Sequence, residues 1–214
     1  MKKLTFSACI GAASALAINA AHAETRNYDI SGFSTVAASA GIDVEITVGG
    51  DYAIRAEGDP QALDRLRIEL KNDTLEVGRT KGRGLISIGK KWRTNVFITM
   101  PTLEGVNVSS GADLDADGID SAEFSASVSS GADAELSGSC GTLKANASSG
   151  ADLEAEGLKC TNVVANASSG ADLTAFASQS LTADASSGGD ITVYGGPQNT
   201  DIDKSSGGDV TIRN

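Results

Sequence analysis

Apolar and polar residues alternate with a period of two through the C-terminal half of the chain. Between residues 145 and 156, one parity carries Ala145, Ala147, Ser149, Ala151, Leu153 and Ala155. Alternate side chains of a β-strand point to the same face of the sheet, so this parity is predicted to face inward. Nearly all of these side chains are small, and the core that they enclose is therefore expected to be narrow.

This alternation belongs to a repeated unit. A serine-serine-glycine motif, with an aspartate two residues after the glycine, begins at Ser109, Ser129, Ser148, Ser168, Ser186 and Ser205. Successive motifs begin 18 to 20 residues apart, so one coil of the repeat has about 19–20 residues. A coil of this length accommodates two or three short strands but no helix, and it buries its apolar face only against neighbouring coils. Gly150 is expected at a turn, since glycine adopts backbone angles that strain other residues. Residues 101–214 are therefore predicted to form a β-solenoid rather than a disordered low-complexity segment.

Residues 24–100 are predicted to be β-rich as well, in a more elaborated form. A degenerate repeat, Ser39-Ala40-Gly41-Ile42-Asp43-Val44, indicates that this half uses the same coil and continues into the second half. The predicted elements are strands within 28–48 and at 52–56, a helical turn at 59–64 capped by Asp59 with Pro60 in its first position, a hairpin of 66–70 with 74–77, and a strand at 92–100. The predicted fold class is all-β.

The first residues have the three parts of a secretory signal peptide. Two lysines follow Met1, an apolar run extends from Leu4 to Ala21, and Ala21-His22-Ala23 provides a small-residue cleavage motif. Residues 1–23 are therefore predicted to be removed by cleavage after Ala23. The run is too short and too rich in small residues for a membrane anchor, and no later segment is apolar enough to be a transmembrane segment. We expect the protein to be exported.

Composition and charge restrict the function further. The chain has one histidine, His22, which is lost with the signal peptide, so the mature chain cannot build a Ser-His-Asp triad or a histidine zinc site. Residues 24–100 hold 11 basic and 11 acidic side chains, whereas residues 101–214 hold 4 basic and 17 acidic ones. The acidic half is expected to repel nucleic acid and anionic membranes. The acidic charge does not exclude cationic partners or divalent metals as ligands.

The two cysteines of the mature chain are predicted to form a disulfide. Cys140 and Cys160 occupy the same place in adjacent coils when a one-residue gap is allowed. Equivalent positions in neighbouring coils are close enough for a disulfide, which an oxidising compartment favours. Thiol catalysis is the weaker alternative, because no histidine is present to activate a thiolate.

The repeated aspartates are predicted to form a ladder along the solenoid. Its members are Asp113, Asp133, Asp152, Asp172, Asp190 and Asp209, with Asp43 as an additional candidate. Such a ladder could bind calcium, which prefers several carboxylate and carbonyl oxygens, although the nine-residue motif of calcium-binding solenoids is not matched. The favoured alternative is that each aspartate faces water and accepts hydrogen bonds from serine hydroxyls and turn amides.

A basic segment in the first half is a second candidate site. It consists of Arg79, Lys81, Arg83, Lys90, Lys91, Trp92 and Arg93, with no acidic residue among them. Basic side chains interleaved with glycine and an aromatic ring are suited to an anionic polymer such as an envelope polysaccharide or a nucleic acid. The favoured alternative is a solvated hairpin whose Trp92 packs on the first coil.

The order of elements resembles a known family. A strand that begins Gly41-Ile42-Asp43, a short helical turn, a hairpin that ends Leu75-Glu76-Val77, the strand from Asn95 to Pro101 and the serine-glycine repeats are together similar to the putative auto-transporter adhesin head domain family, the head GIN domain. The resemblance extends from Tyr28 to Ile212. It implies a right-handed parallel β-helix, a secreted or cell-envelope location, either periplasmic or at the cell surface, and an adhesin role.

We therefore interpret the sequence as an exported, non-enzymatic binding or adhesion module of the bacterial cell envelope. We expect it to require no cofactor and to bind an envelope or extracellular ligand that the sequence does not identify. One alternative is a carbohydrate-active β-helix enzyme, but coils of nearly constant length leave no insertions to build its groove. The other alternative is a self-associating structural protein. An uncovered solenoid end at residues 209–212 offers unpaired strand groups to another copy.

Overall fold

The computed structural model describes residues 24–80 and 94–213, and the predicted signal peptide lies outside this range. The described residues form strands joined into one sheet and a single helical turn, α1 (Pro60–Leu63). The strands are β1 (Glu24–Tyr28), β2 (Thr35–Ser39), β3 (Asp43–Val48), β4 (Ala53–Gly58), β5 (Leu66–Lys71), β6 (Thr74–Arg79), β7 (Thr94–Met100), β8 (Gly105–Ser109), β9 (Asp113–Ser129), β10 (Asp133–Ser148), β11 (Asp152–Ser168), β12 (Asp172–Ser186), β13 (Asp190–Tyr194), β14 (Asn199–Lys204) and β15 (Asp209–Arg213).

The long strands β9 to β12 are the coils of a solenoid. Each pairs in parallel and nearly in register with the next, from its aspartate at the start to its serine at the end. The first halves of these strands form one wall with β3, β13 and β15, and the second halves form the opposite wall with β2, β8 and β14. The predicted all-β fold of parallel stacked coils is confirmed, with about five turns.

The serine-glycine motifs form the corners between the two walls. In the coil that ends with β10, Ser149 and Gly150 both have left-handed backbone angles, with φ of 60° and 64°. The prediction of a turn at Gly150 is confirmed. The prediction that Ser149 faces inward is wrong, because two successive left-handed residues reverse the chain and leave Ser149 exposed. Corners also bond to each other, since the Gly150 amide donates to the Ser169 carbonyl at 3.2 Å.

The core runs between the walls, and its composition changes along the solenoid. The predicted inward residues Ala145, Ala147, Ala151, Leu153 and Ala155 are all buried. The buried side chains of Phe33, Met100 and Phe124 lie in the earlier coils. From position 143 onward the buried residues are mainly alanine, with leucine or isoleucine at Leu143, Leu153, Leu158, Leu173, Leu181 and Ile191. The small core residues predicted from the repeat are therefore a property of its later coils.

Residues 35–48 form a further coil of the same kind, as the degenerate repeat predicted. Strands β2 and β3 are joined by a corner at Ala40 and Gly41, with φ of 65° and 63°. They pair with β8 and β9 on one side and with β6 and β7 on the other. The hairpin of β5 and β6 and the antiparallel strands β1 and β4 extend this end of the sheet.

The helical turn α1 begins as predicted, although its cap differs. Asp59 is the N-cap residue and Pro60 opens the turn, but the Asp59 side chain makes no capping hydrogen bond. Its backbone carbonyl instead accepts hydrogen bonds from the amides of Ala62 and Leu63. Ala62 and Leu63 are buried, so apolar packing fixes this turn against the sheet.

Candidate functional site: the acidic face

The structure brings the predicted aspartates together in a single ladder. Asp113 pairs in register with Asp133, and the pairing continues through the later coils to Asp209. Asp43 of β3 pairs with Asp113 and extends the ladder at its other end. Parallel in-register strands place equivalent residues about 4.8 Å apart. All of these aspartates are exposed on the outer side of the first wall.

A second column of carboxylates, which the sequence analysis missed, runs beside the ladder. Two residues further along each strand, Glu45, Asp115, Glu135 and Glu154 also pair in register. The column continues as threonine from Thr174 onward. The signal was present in the sequence, because an acidic residue two positions after the repeat aspartate keeps the same outward parity. We call the ladder and this second column the acidic face.

The crowding of carboxylates affects their protonation. Burial raises the pKa of Asp113, and the neighbouring Asp43 and Asp115 carboxylates add to the increase. Burial also raises the pKa of Asp115, together with the Glu45 and Asp117 carboxylates. The part of the acidic face next to Asp43 and Glu45 therefore holds its negative charge at an energetic cost.

Cations lie at the two ends of the acidic face. The Lys204 ammonium donates a hydrogen bond to Asp209 at 3.0 Å and lowers the pKa of that carboxyl. At the other end, Phe97 is next to Glu45 in register, and the Arg55 guanidinium lies 4.4 Å from the centre of its ring. Asp209 forms an ion pair with Lys204, and Asp43 at the other end of the ladder interacts electrostatically with Arg79. A cationic ligand would therefore meet uncompensated charge in the middle of the ladder.

The geometry of the ladder differs from that of a closed metal site. Within residues 24–80 and 94–213, no group of three or more histidine, cysteine, aspartate or glutamate side chains is arranged to hold a metal ion. A shallow depression of about 220 Å³ lies on the acidic face, lined by both columns from Asp113 to Glu154. Calcium takes 6–8 oxygen ligands, whereas a flat face supplies ligands from one side only. Calcium binding by the ladder stays a prediction.

The predicted disulfide is present and joins adjacent coils. Cys140 of β10 pairs in register with Cys160 of β11, and their Cα atoms are 4.5 Å apart. Both cysteines are buried. The bond therefore ties together the two coils that carry the centre of the acidic face.

The basic segment is described only at its first residue. Arg79 ends β6, where one guanidinium nitrogen donates to the Gly41 carbonyl at 2.9 Å, and burial lowers the pKa of its side chain. Arg79 thus packs against the corner of the neighbouring coil. The other members, Lys81, Arg83, Lys90, Lys91, Trp92 and Arg93, lie outside the described residues. Binding of an anionic ligand by this segment stays a prediction.

The parallel stacked coils define this protein as a β-solenoid, and equivalent residues of successive coils form one extended, exposed surface. Residues 32–197 match the family model described as the putative auto-transporter adhesin, head GIN domain. The match covers most of the chain, and the protein belongs to this family, as the order of its elements predicted. No curated protein sequence matches the chain. In the part of the chain that the structure describes, no helix has the length and apolarity needed to cross a bilayer.

Several solved structures are similar. A putative adhesin from Bacteroides fragilis is 19% identical, with a TM-score of 0.71 over 90% of this chain and 97% of that chain. A putative lipid binding protein from Parabacteroides distasonis is 16% identical, with a TM-score of 0.51 over 90% and 97%. A putative adhesin from Parabacteroides merdae is 13% identical, with a TM-score of 0.50 over 90% and 96%. Identities this low establish a shared fold alone.

Proposed function

We propose that this protein is an exported, non-enzymatic binding module of adhesion type in the bacterial cell envelope, and that it binds through the acidic face. The observation that carries the proposal is the in-register ladder from Asp43 to Asp209 with a second carboxylate column beside it. The adhesin description of the family and of structural neighbours supports the adhesion role.

The ladder suits a partner that carries several cationic groups in a row. Its carboxylates repeat about every 4.8 Å on a hydrogen-bonded sheet, so their spacing is fixed before the partner arrives. One exposed ion pair contributes only about 0–1 kcal/mol. Several such pairs on a rigid surface combine in the way that linked binding modules do. The negative field of residues 101–214 also attracts cationic partners and repels anionic ones.

Export and the absence of catalysis are supported by the sequence. The features of residues 1–23 are those of a cleaved signal peptide, and an oxidising destination is consistent with the disulfide between Cys140 and Cys160. Cleavage after Ala23 removes the histidine at position 22 and with it the most common general base. The destination within the envelope is either the periplasm or the cell surface.

The proposal is tested by retention on a surface coated with poly-L-lysine at physiological ionic strength. We compare the wild type with a ladder variant, in which Asp113, Asp133, Asp152 and Asp172 are changed to asparagine. The matched control loses the same charge off the acidic face, with Asp120, Glu123, Asp184 and Asp203 changed to their amides. The ladder variant is expected to bind at least about tenfold more weakly than the control, equivalent to about 1.4 kcal/mol.

A separate experiment tests whether calcium is the cation that the ladder binds. Thermal unfolding of metal-stripped protein is followed with and without millimolar calcium, for the wild type and Asp152→Asn. A ladder that holds calcium predicts a marked increase in melting temperature that the variant reduces. An unchanged melting temperature in both proteins would reject calcium and leave polycationic partners as the ligand class.

A second candidate function is self-association, which the exposed end of the solenoid favours. Among the described strands, β15 pairs with β13 alone, and β14 pairs with β12 alone. Ile202 and Ile212 on these strands are each 38% exposed. Antiparallel pairing of two β15 strands would place Asp209 opposite Arg213, which gives complementary charges. Sedimentation at several concentrations tests this: a concentration-dependent dimer that Ile212→Lys abolishes supports it, and a monomer throughout rejects it.

A further inference from the structure

Two aromatic side chains lie on the outer side of the later coils. Residues 101–213 contain three aromatic residues, of which Phe124 is buried in the core. Phe176 and Tyr194 are half-buried and project outward from β12 and β13. They pair in register, so the two rings come from equivalent positions of adjacent strands. Outward aromatic rings are costly to leave beside water, and a pair of them indicates a contact surface.

The two rings line a depression on the edge of the first wall. Its volume is about 580 Å³, and Glu154, Glu156 and Lys159 also line it. Ligand pockets in proteins have volumes of about 300–1,000 Å³, with apolar walls and a few polar groups. The depression, which we call the aromatic pocket, therefore has the size and the mixture of groups expected for a small-molecule subsite.

A glycine places the Phe176 ring. Gly195 has φ of +96°, and a Cβ atom at this position would lie 2.9 Å from the Cζ atom of Phe176 and 2.5 Å from the carbonyl oxygen of Ala177. A side chain at position 195 would therefore push the Phe176 ring away from the wall. Because no such side chain is present, the ring lies against the backbone that follows Tyr194.

A cation of the protein itself already lies over the Phe176 ring. The Lys159 ammonium nitrogen is 4.2 Å from the ring centre, and it donates a hydrogen bond to the Glu156 carbonyl at 2.6 Å. The attraction between the ammonium group and the ring helps to hold both side chains in place. The pocket thus combines an ordered donor, two aromatic rings and the carboxylates of Glu154 and Glu156.

We infer that the aromatic pocket binds a sugar residue of a neutral glycan. The C–H groups on one face of a pyranose ring pack on an aromatic ring, whose face is apolar and electron-rich. Here the sugar packs on the part of the Phe176 and Tyr194 rings that lines the pocket and that Lys159 does not cover. Sugar hydroxyls donate to carboxylates such as those of Glu154 and Glu156 and accept from an ammonium such as that of Lys159. Nearby carboxylates disfavour an acidic sugar, and Lys159 disfavours a second cation on Phe176.

This inference goes beyond the proposed function, because it concerns a different site and a different ligand chemistry. The aromatic pocket acts by stacking and hydrogen bonding, whereas the acidic face acts by charge. Glu154 is common to both, so the tests leave that residue unchanged. The ladder variant, which retains both aromatic rings, is expected to bind neutral glycans as the wild type does.

The experiment measures binding of defined tetrasaccharides to the purified protein by isothermal titration calorimetry. The neutral probes are maltotetraose, cellotetraose and chitotetraose, and a hyaluronan tetrasaccharide is the acidic counterpart. We expect at least one neutral probe to bind and the acidic one not to bind. Phe176→Ala is expected to weaken that binding at least about tenfold, because it removes an aromatic ring on which the sugar packs.

Two further variants keep the result interpretable. Phe176→Leu retains apolar volume on the wall but removes the aromatic face, so it guards against a loss of binding through unfolding. Val164→Ala shortens another exposed apolar residue, 37% exposed on the second wall, and is expected to bind like the wild type. The inference is overturned if no neutral probe binds, if the acidic probe binds as well as the neutral ones, or if Phe176→Leu binds as tightly as the wild type.

Discussion

Asp113→Asn is expected to stabilise the protein at neutral pH. Asp113 lies between Asp43 and Asp133 in the ladder, and burial together with the Asp43 and Asp115 carboxylates raises its pKa. The folded protein therefore binds this proton more tightly than the unfolded chain. Stability from this group is fully present at low pH and is lost as pH rises from the ordinary value of 3.8 through the raised pKa. Asparagine keeps the shape and removes the ionised state.

The magnitude follows from Coulomb's law. Two unit charges about 4.8 Å apart in water repel by about 0.9 kcal/mol, and screening at 0.15 M salt reduces this to about 0.5 kcal/mol. Asp113 has two ladder neighbours, so the substitution is expected to gain about 1 kcal/mol, or about 2–4 °C in melting temperature for a chain of this size. In 1 M salt the gain should fall to about 0.3 kcal/mol, because the screening length is then about 3 Å.

Thermal unfolding followed by circular dichroism in metal-chelating buffer checks this expectation at pH 7 and pH 3, and in low and high salt. Asp51→Asn is the control, since Asp51 is exposed between β3 and β4 and lies outside the ladder. The reasoning would be refuted if Asp113→Asn lowered the melting temperature at pH 7. It would also be refuted if the gain persisted unchanged at pH 3 or in 1 M salt.

Two other predictions concern the coils, and a third concerns the signal peptide. The disulfide between Cys140 and Cys160 closes a loop of 20 residues. Its reduction should lower the free energy of unfolding, measured by urea titration, by about 3 kcal/mol. A variant with alanine at both positions should have the same stability with and without reductant. Gly150→Ala should lower the free energy of unfolding by about 1–2 kcal/mol, because φ is positive at this position. Ser149→Asn should be neutral or stabilising, since asparagine tolerates a left-handed backbone. Equal melting temperatures for the wild type and the two variants would contradict this. Amino-terminal sequencing of the exported protein should begin at Glu24, and an intact Met1 would reject cleavage after Ala23.

The features that follow directly from the period of the repeat could be predicted. A nearly constant coil length with parallel pairing places Asp133 next to Asp152, and with a gap of one residue it places Cys140 next to Cys160. The ladder and the disulfide therefore follow from the spacing. The inward alanines follow from strand parity in the same way. Parity fails where the chain turns, and Ser149 is exposed because the corner uses two left-handed residues.

The order of the first coils could not be read from the sequence. In the stack, the coil of β2 and β3 lies between the coil of β6 and β7 and the coil of β8 and β9. Along the chain, however, β6 and β7 come between β3 and β8. Alternation identifies which face of a strand is buried but not which strand is its neighbour. The aromatic pocket was missed for a different reason. Phe176 and Tyr194 each lie four residues after a repeat aspartate, so the spacing already placed them side by side, but the outward positions were searched for charge alone.

The most direct test of the acidic face as the binding surface is the ratio of dissociation constants on poly-L-lysine for the ladder variant and its charge-matched control. Both variants carry the same net charge, so non-specific attraction affects them equally. We predict that the ladder variant binds at least about tenfold more weakly than the control, and that this ratio shrinks as salt is raised. Equal dissociation constants for the two variants would contradict the account, because they would show that net charge rather than the ladder determines binding.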